Sequence, residues 1–230
     1  GLPPVQTCTD GQVLASSPSP PPLESRAQSD LVRAQLSQAR SLELAGKYTE
    51  GLTRTREALA HAEALGWPPL VAAALQLEGA VLTRTGEYAE SAEASRKAYF
   101  EAMKARAWDI AASAATDLTI TIGFREARRA EGLDWASHAE VAIRFAGDPL
   151  GLREAARLTA LANVHRAAGA YPEAKALYEQ SLAVTERVLG PDHIQVGHVL
   201  NNLAGAYALL GEHAQAQALQ RRVLAITERA

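Results

Sequence analysis

Gly46-Lys47-Tyr48-Thr49-Glu50-Gly51 decides the fold, because the pattern returns four more times. It recurs as Gly86-Glu87-Tyr88-Ala89-Glu90-Ser91, Ala127-Arg128-Arg129-Ala130-Glu131-Gly132, Gly169-Ala170-Tyr171-Pro172-Glu173-Ala174 and Gly211-Glu212-His213-Ala214-Gln215-Ala216. The starts step by 40, 41, 42 and 42 residues. Such a period marks a solenoid, in which each unit buries its apolar face only against its neighbours. Outward from the blocks the chain reads as helix from Leu31 on, in pairs expected at 30–45 and 48–65, 70–85 and 88–106, 109–126 and 129–146, 150–168 and 171–189, and 194–210 and 213–229. Repeats are thus expected at 30–67, 68–108, 109–148, 149–191 and 192–230.

Composition agrees. Alanine supplies 48 of 230 residues while aromatics make up 5%, which suits helices packed closely through small side chains and argues against an aromatic-rich β-sandwich. With 23 basic against 26 acidic side chains, no nucleic-acid partner is expected. Every apolar stretch is broken by charge or amide well before the roughly 20 residues that cross a bilayer, so no membrane insertion by this segment is expected. Six of the eleven prolines fall in the first 22 residues, and 1–29 is expected to be a mostly irregular Pro/Ser-rich linker. Because the chain starts at Gly1 and not Met, the expectation is a piece of a longer protein.

The blocks resemble the tetratricopeptide repeat, over about residues 30–230. The small residue the family carries seven places before the block is Ala39, Gly79, Ile120, Ala162 and Ala204. The block closes on Gly51, Ser91, Gly132, Ala174 and Ala216, and seven residues on stand Ala58, Ala98, Ala139, Ser181 and Val223. All but Ile120 and Val223 are Gly, Ala or Ser, as helices approaching to about 8 Å require. Leu189-Gly190-Pro191-Asp192-His193 and Leu200-Asn201-Asn202-Leu203-Ala204 are similar to the kinesin-light-chain type of repeat. The resemblance implies an all-α, right-handed solenoid of five helix pairs, about ten antiparallel helices, with a concave groove. Thr7-Cys8-Thr9-Asp10, the proline-rich linker, Gly46-Lys47-Tyr48 and Leu65-Gly66-Trp67-Pro68, in that order, resemble the C-terminal region of myxobacterial serine/threonine kinases. That likeness implies a kinase domain upstream of Gly1, although this chain carries no kinase catalytic motif. The third repeat, with Ile120 at a small position and Gly123 inside a helix, is expected to be the least regular.

Catalytic chemistry is not expected. Ala45-Gly46-Lys47 lacks the earlier glycine and the following Ser or Thr of a phosphate loop. His193 and His198 are five apart and cannot share a metal as an i, i+4 pair could, so they are expected to cap helices or sit on the surface. Asp134 and His138 share a helix face without a nucleophile beside them. Cys8 is either a plain thiol or half of a disulfide to a cysteine outside the segment. No cofactor or metal is expected.

What remains is binding. Arg84 and Arg125 hold the same repeat position, with Arg40 and Arg166 on the corresponding face, and Gln76, Asn163, Asn201 and Asn202 nearby. In register, these groups would grip an extended, acidic peptide segment, since each guanidinium presents a planar donor fork. The alternative is that the arginines pair with neighbouring acids or cap helix ends. The expected function is a non-catalytic protein- or peptide-binding module of a bacterial signalling protein, cytoplasmic by default or periplasmic if the parent spans a membrane. The competing role is structural: Leu219, Val223, Leu224 and Ile226 near the C-terminus are expected to form an exposed apolar edge that self-associates end to end.

Overall fold

The computed structural model describes residues 18–229, so Cys8 and the likeness at Thr7–Asp10 lie outside the described residues. A 3-10 turn over Leu23–Ser25 leads into ten α-helices: α1 (Arg26–Leu44), α2 (Tyr48–Leu65), α3 (Pro68–Thr85), α4 (Tyr88–Lys104), α5 (Trp108–Leu118), α6 (Arg129–Ala146), α7 (Leu152–Ala167), α8 (Tyr171–Leu189), α9 (Ile194–Leu209) and α10 (His213–Thr227). A π-helical segment, Thr119–Arg125, prolongs α5. No strand occurs among the described residues. The first helix starts at Arg26, ahead of the expected 30, because nothing after Pro22 interrupts the ladder.

The helices fall into two compact units, one of residues up to 117 with 141–146, the other of 118–140 with 147–229. In the first, α1 packs on α2, α2 on α3 and α3 on α4 around Val32, Leu36, Ala39, Ala58, Ala62, Leu70 and Val81. In the second, α7 packs on α8, α8 on α9 and α9 on α10, around Ala162, Ala174, Tyr178 and Leu203 and around Val196, Leu200 and Ile226.

Each block is a helix end and a helix start, as its residues require. The block glycines Gly46, Gly86, Gly169 and Gly211 take φ of 75°, 88°, 78° and 79°. Left-handed backbone of this kind closes a helix by turning the next amide back to a carbonyl five residues earlier. Lys47, Glu87, Ala170 and Glu212 donate in this way to Leu42, Leu82, His165 and Tyr207. In the third repeat Ala127 must adopt the same conformation, at φ 57°, with a side chain that resists it.

The irregularity expected in that repeat is a one-residue insertion. Arg128 donates to Ile122, six residues back, where the other blocks span five. The π-turn absorbs the extra residue, and it moves the helix crossing. In the first repeat a Cβ on Gly51 would meet the Ala39 carbonyl and the Glu43 amide; in the third, one on Gly132 would meet the Thr119 carbonyl and Gly123. The small position is therefore filled by buried Thr119, 40 residues after Gly79, and not by Ile120, which is half-buried.

Backbones touch at this crossing. A Cβ on Gly132 would stand 2.3 Å from the Gly123 Cα. Gly132→Ala is expected to destabilise the fold by about 2–3 kcal/mol through overpacking, whereas Gly205→Ala, where an added Cβ meets nothing within 4 Å, is expected to stabilise by about 0.5–1 kcal/mol. Urea unfolding of the two variants checks the contrast in sign. Ala127→Gly is expected to stabilise the fold modestly, by about 0.5–1 kcal/mol, and so to raise the urea midpoint, because the left-handed strain outweighs the entropy glycine adds to the unfolded chain.

Candidate functional site

In the first unit, the sequence-predicted groove residues meet two acids that sequence reasoning passed over. Arg40 and Glu43 are one turn apart on α1, with Arg40 Nε 3.6 Å from Glu43 Oε2. Arg84, 41 residues on along α3, donates its Nε–H to Glu43 Oε1 at 3.1 Å. Glu43 is 5% exposed, and its Oε2 is buried beyond hydrogen-bond length of a donor. Gln76 on α3 donates its side-chain amide to Asp117 Oδ2 on α5 at 2.7 Å. Arg40 and Arg84 are therefore not open donor forks: the acid-pairing alternative holds for their Nε edges, while 50% and 60% of their side chains stay exposed. The signal for Glu43 was present, since Glu43, Arg84 and Arg125 recur every 41 residues, one acid followed by two bases.

In the second unit, Asn163 is turned toward the core. It is 9% exposed, and its Oδ1 accepts the hydroxyl of fully buried Tyr178 at 2.6 Å, because the phenol enters the core between α7 and α8 and needs a partner there. Arg166 donates from Nε to the same hydroxyl at 3.4 Å. Its guanidinium also lies 5.4 Å from the Phe124 ring centre, and that of Arg125 lies 4.9 Å from the same ring. Two cations thus share one aromatic ring of the π-helical segment. Asn201 is exposed and Asn202 half-buried on α9. His165 Nδ1 is buried without a hydrogen bond, and burial, together with the Arg129 charge, holds its imidazole below its usual pKa.

The C-terminal edge is narrower than the sequence suggests. Ile226 is 1% exposed, packed on Val196 and Leu200, and so belongs to the core; Leu219 and Val223 are half-buried against the same cluster. Burying an isoleucine is worth about 1.5–3 kcal/mol, which draws α10 onto α9 and leaves Leu224, 59% exposed, as the outward apolar residue. His193 acts as a cap, its Nδ1 accepting from the Gln195 amide. Among the described residues no three His, Cys, Asp or Glu are grouped to hold a metal ion, and no helix is long and apolar enough to cross a membrane.

Asp117 carries a testable charge. Burial, opposed by the Gln76 bond and by Arg40 and Arg84 and reinforced by Glu43, pushes its carboxyl up from 3.8 to about 6. The folded state therefore binds this proton more tightly than the unfolded state. The stability it contributes is complete below about pH 4 and is lost as pH rises through about 6. Asp117→Asn, which keeps an acceptor for Gln76, is expected to flatten that dependence and to exceed wild type at pH 7.5 by about 1–2 kcal/mol, since part of the group stays accessible to water. Urea unfolding at pH 4.5 and 7.5, with an NMR titration of Asp117, checks it.

Comparison with known proteins agrees with this architecture. Residues 153–229 match the tetratricopeptide repeat family model. No curated protein matches the sequence. Among solved structures, a Podosopora anserina protein assigned as a kinesin light chain, with nearly identical TPR-like repeats, is similar at a TM-score of 0.60 and 20% identity, over 87% of this chain and 97% of that one. BtubC (BKLC) from P. vanneervenii is similar at 0.67 and 18%, over 95% and 90%. Rap protein complexed with Competence and Sporulation Factor is similar at 0.62 and 18%, over 86% of this chain and 52% of that one. At these identities the likeness is one of fold: the chain is an all-α array of tetratricopeptide-type helix pairs.

Proposed function

We propose that the chain is a non-catalytic interaction module that grips extended segments of other proteins on the first-helix faces of its repeats, with Arg40 and Arg84 as the anchors of its first unit. The observation that carries this reading is their convergence on buried Glu43. A buried ion pair adds little net stability, so it is a poor device for holding helices together. It is a good device for holding two guanidiniums in place, since the ordering of their long side chains is complete before a ligand arrives. The exposed remainder of each suits a carboxylate or a backbone carbonyl, hence acidic segments as preferred partners. Arg125 and Arg166 over Phe124 play the same part in the second unit. The complex formed by the structurally similar Rap protein supports a binding role for the fold. Placement of the module at the C-terminal end of a serine/threonine kinase, and with it the choice between cytoplasm and periplasm, rests on the sequence likeness alone. Self-association through Leu224, Leu219 and Val223 is the second reading, favoured by the exposure of Leu224.

Peptides selected by display on the wild-type chain supply the test. Removing both arginines alone would strand a buried acid, so the variant is Arg40→Gln/Arg84→Gln in a Glu43→Gln background. It is expected to bind the selected peptides at least about tenfold more weakly, as loss of one charge-assisted hydrogen bond predicts, with unchanged circular dichroism, while Glu43→Gln alone, which keeps both guanidiniums and loses the charge that orders them, is expected to bind with intermediate strength. Equal binding by the triple variant and wild type would overturn the proposal.

A further inference from the structure

The short stretch before α1 is seated on the first unit in a specific way. Trp67 donates its indole Nε1–H to the carbonyl of Ser19 at 3.1 Å, across 48 residues of sequence. Pro18 forms one wall of a pocket of about 270 Å³ whose other walls include Leu36, Trp67, Leu70, Ala73 and Ile110. The Arg33 guanidinium stacks over the Trp67 ring, 5.0 Å from its centre, closing the other side. Pro22 has φ −52° and ψ 145°, in the polyproline-II region, and the run Pro18-Ser19-Pro20-Pro21-Pro22 is biased to that conformation by its own rings.

These features have one chemical logic. A polyproline-II segment has no internal hydrogen bonds, so its carbonyls are free to be read, and its rings are already ordered, so fixing them costs little entropy. The fitting receptor is a groove with an aromatic wall and an N–H aimed at a peptide carbonyl. Trp67 supplies both. It is itself held at the start of α3, where Pro68 occupies the first helical position and the Trp67 carbonyl accepts from Leu70.

We propose that the Trp67 face beside this pocket is a binding site for proline-rich, polyproline-II segments, and that the Pro18–Pro22 strap, whose Pro18 lines the pocket and whose Ser19 carbonyl accepts from the Trp67 indole, is its resident occupant. The strap is joined to α1 through Leu23–Ser25 alone. So short a tether gives it an effective concentration in the millimolar range, and a proline-rich segment offered by another molecule must displace it. The site is separate from the Glu43 cluster, so either proposal can fail without the other.

The experiment uses the full chain and its variant Pro18→Ser/Pro20→Ser/Pro21→Ser, which alters only the strap. The probe is a fluorescein-labelled peptide of residues 17–23, followed by fluorescence anisotropy. The variant is expected to bind it about tenfold or more tightly than wild type, and a further Trp67→Phe exchange, which keeps a ring and removes the N–H, is expected to abolish the gain. A second readout needs no added peptide: hydrogen exchange of the Trp67 indole N–H, followed by NMR, is expected to be faster in the strap variant than in wild type. Equal or undetectable peptide binding by the two chains, or unchanged indole exchange, overturns the proposal.

Discussion

The closeness of the two helices in each pair is the constraint from which the rest follows. Where a Cβ added to Gly51 would meet the Ala39 carbonyl, and one added to Gly79 would meet Ser91 and Ser95, backbone rests against backbone and no larger side chain fits. That proximity brings carbonyls of one helix within reach of hydroxyls on the other. Ser91 donates to the Gly79 carbonyl at 2.8 Å, and Ser181 donates to that of Ala155 at 2.8 Å. The small residues thus serve two ends, dispersion contact and the satisfaction of polar atoms that a crossing would otherwise bury bare.

Close pairs leave their larger side chains to be buried between successive repeats, which is where the polar contacts of the first unit run. Arg84 to Glu43 and Gln76 to Asp117 each join residues 41 apart, one repeat length. A first-helix face built this way is rigid and charged at once. The carboxylates that hold it are costly to desolvate, visible in the raised Asp117 carboxyl, and one of them, Glu43, pairs with both guanidiniums. In the second unit the same task of fixing a cation falls to a ring and a phenol, Phe124 and Tyr178.

The third repeat shows how the array tolerates a length change. One extra residue in a first helix could have rotated everything after it by about 100°. The π-turn over Thr119–Arg125 takes up that residue, and a Gly123–Gly132 contact makes the crossing that Ile120 could not have made.

The sequence by itself determined the repeat, its period, the helix pairs to within a few residues and the small-residue crossings, because these depend on spacing along a helix and on the backbone freedom of particular residues such as Gly46 and Gly86. It also marked the third repeat as irregular. Only the tertiary structure decided which residue stands at that repeat's crossing, because a π-turn shifts register without leaving a distinct pattern in the chain. It alone showed that Ile226 turns inward, that Asn163 is spent on Tyr178 and that Arg40 and Arg84 converge on Glu43. Periodicity says which residues share a face; whether a side chain on that face meets solvent, core or an opposite charge is set by how closely the next helix lies, and that distance is a property of the packed molecule.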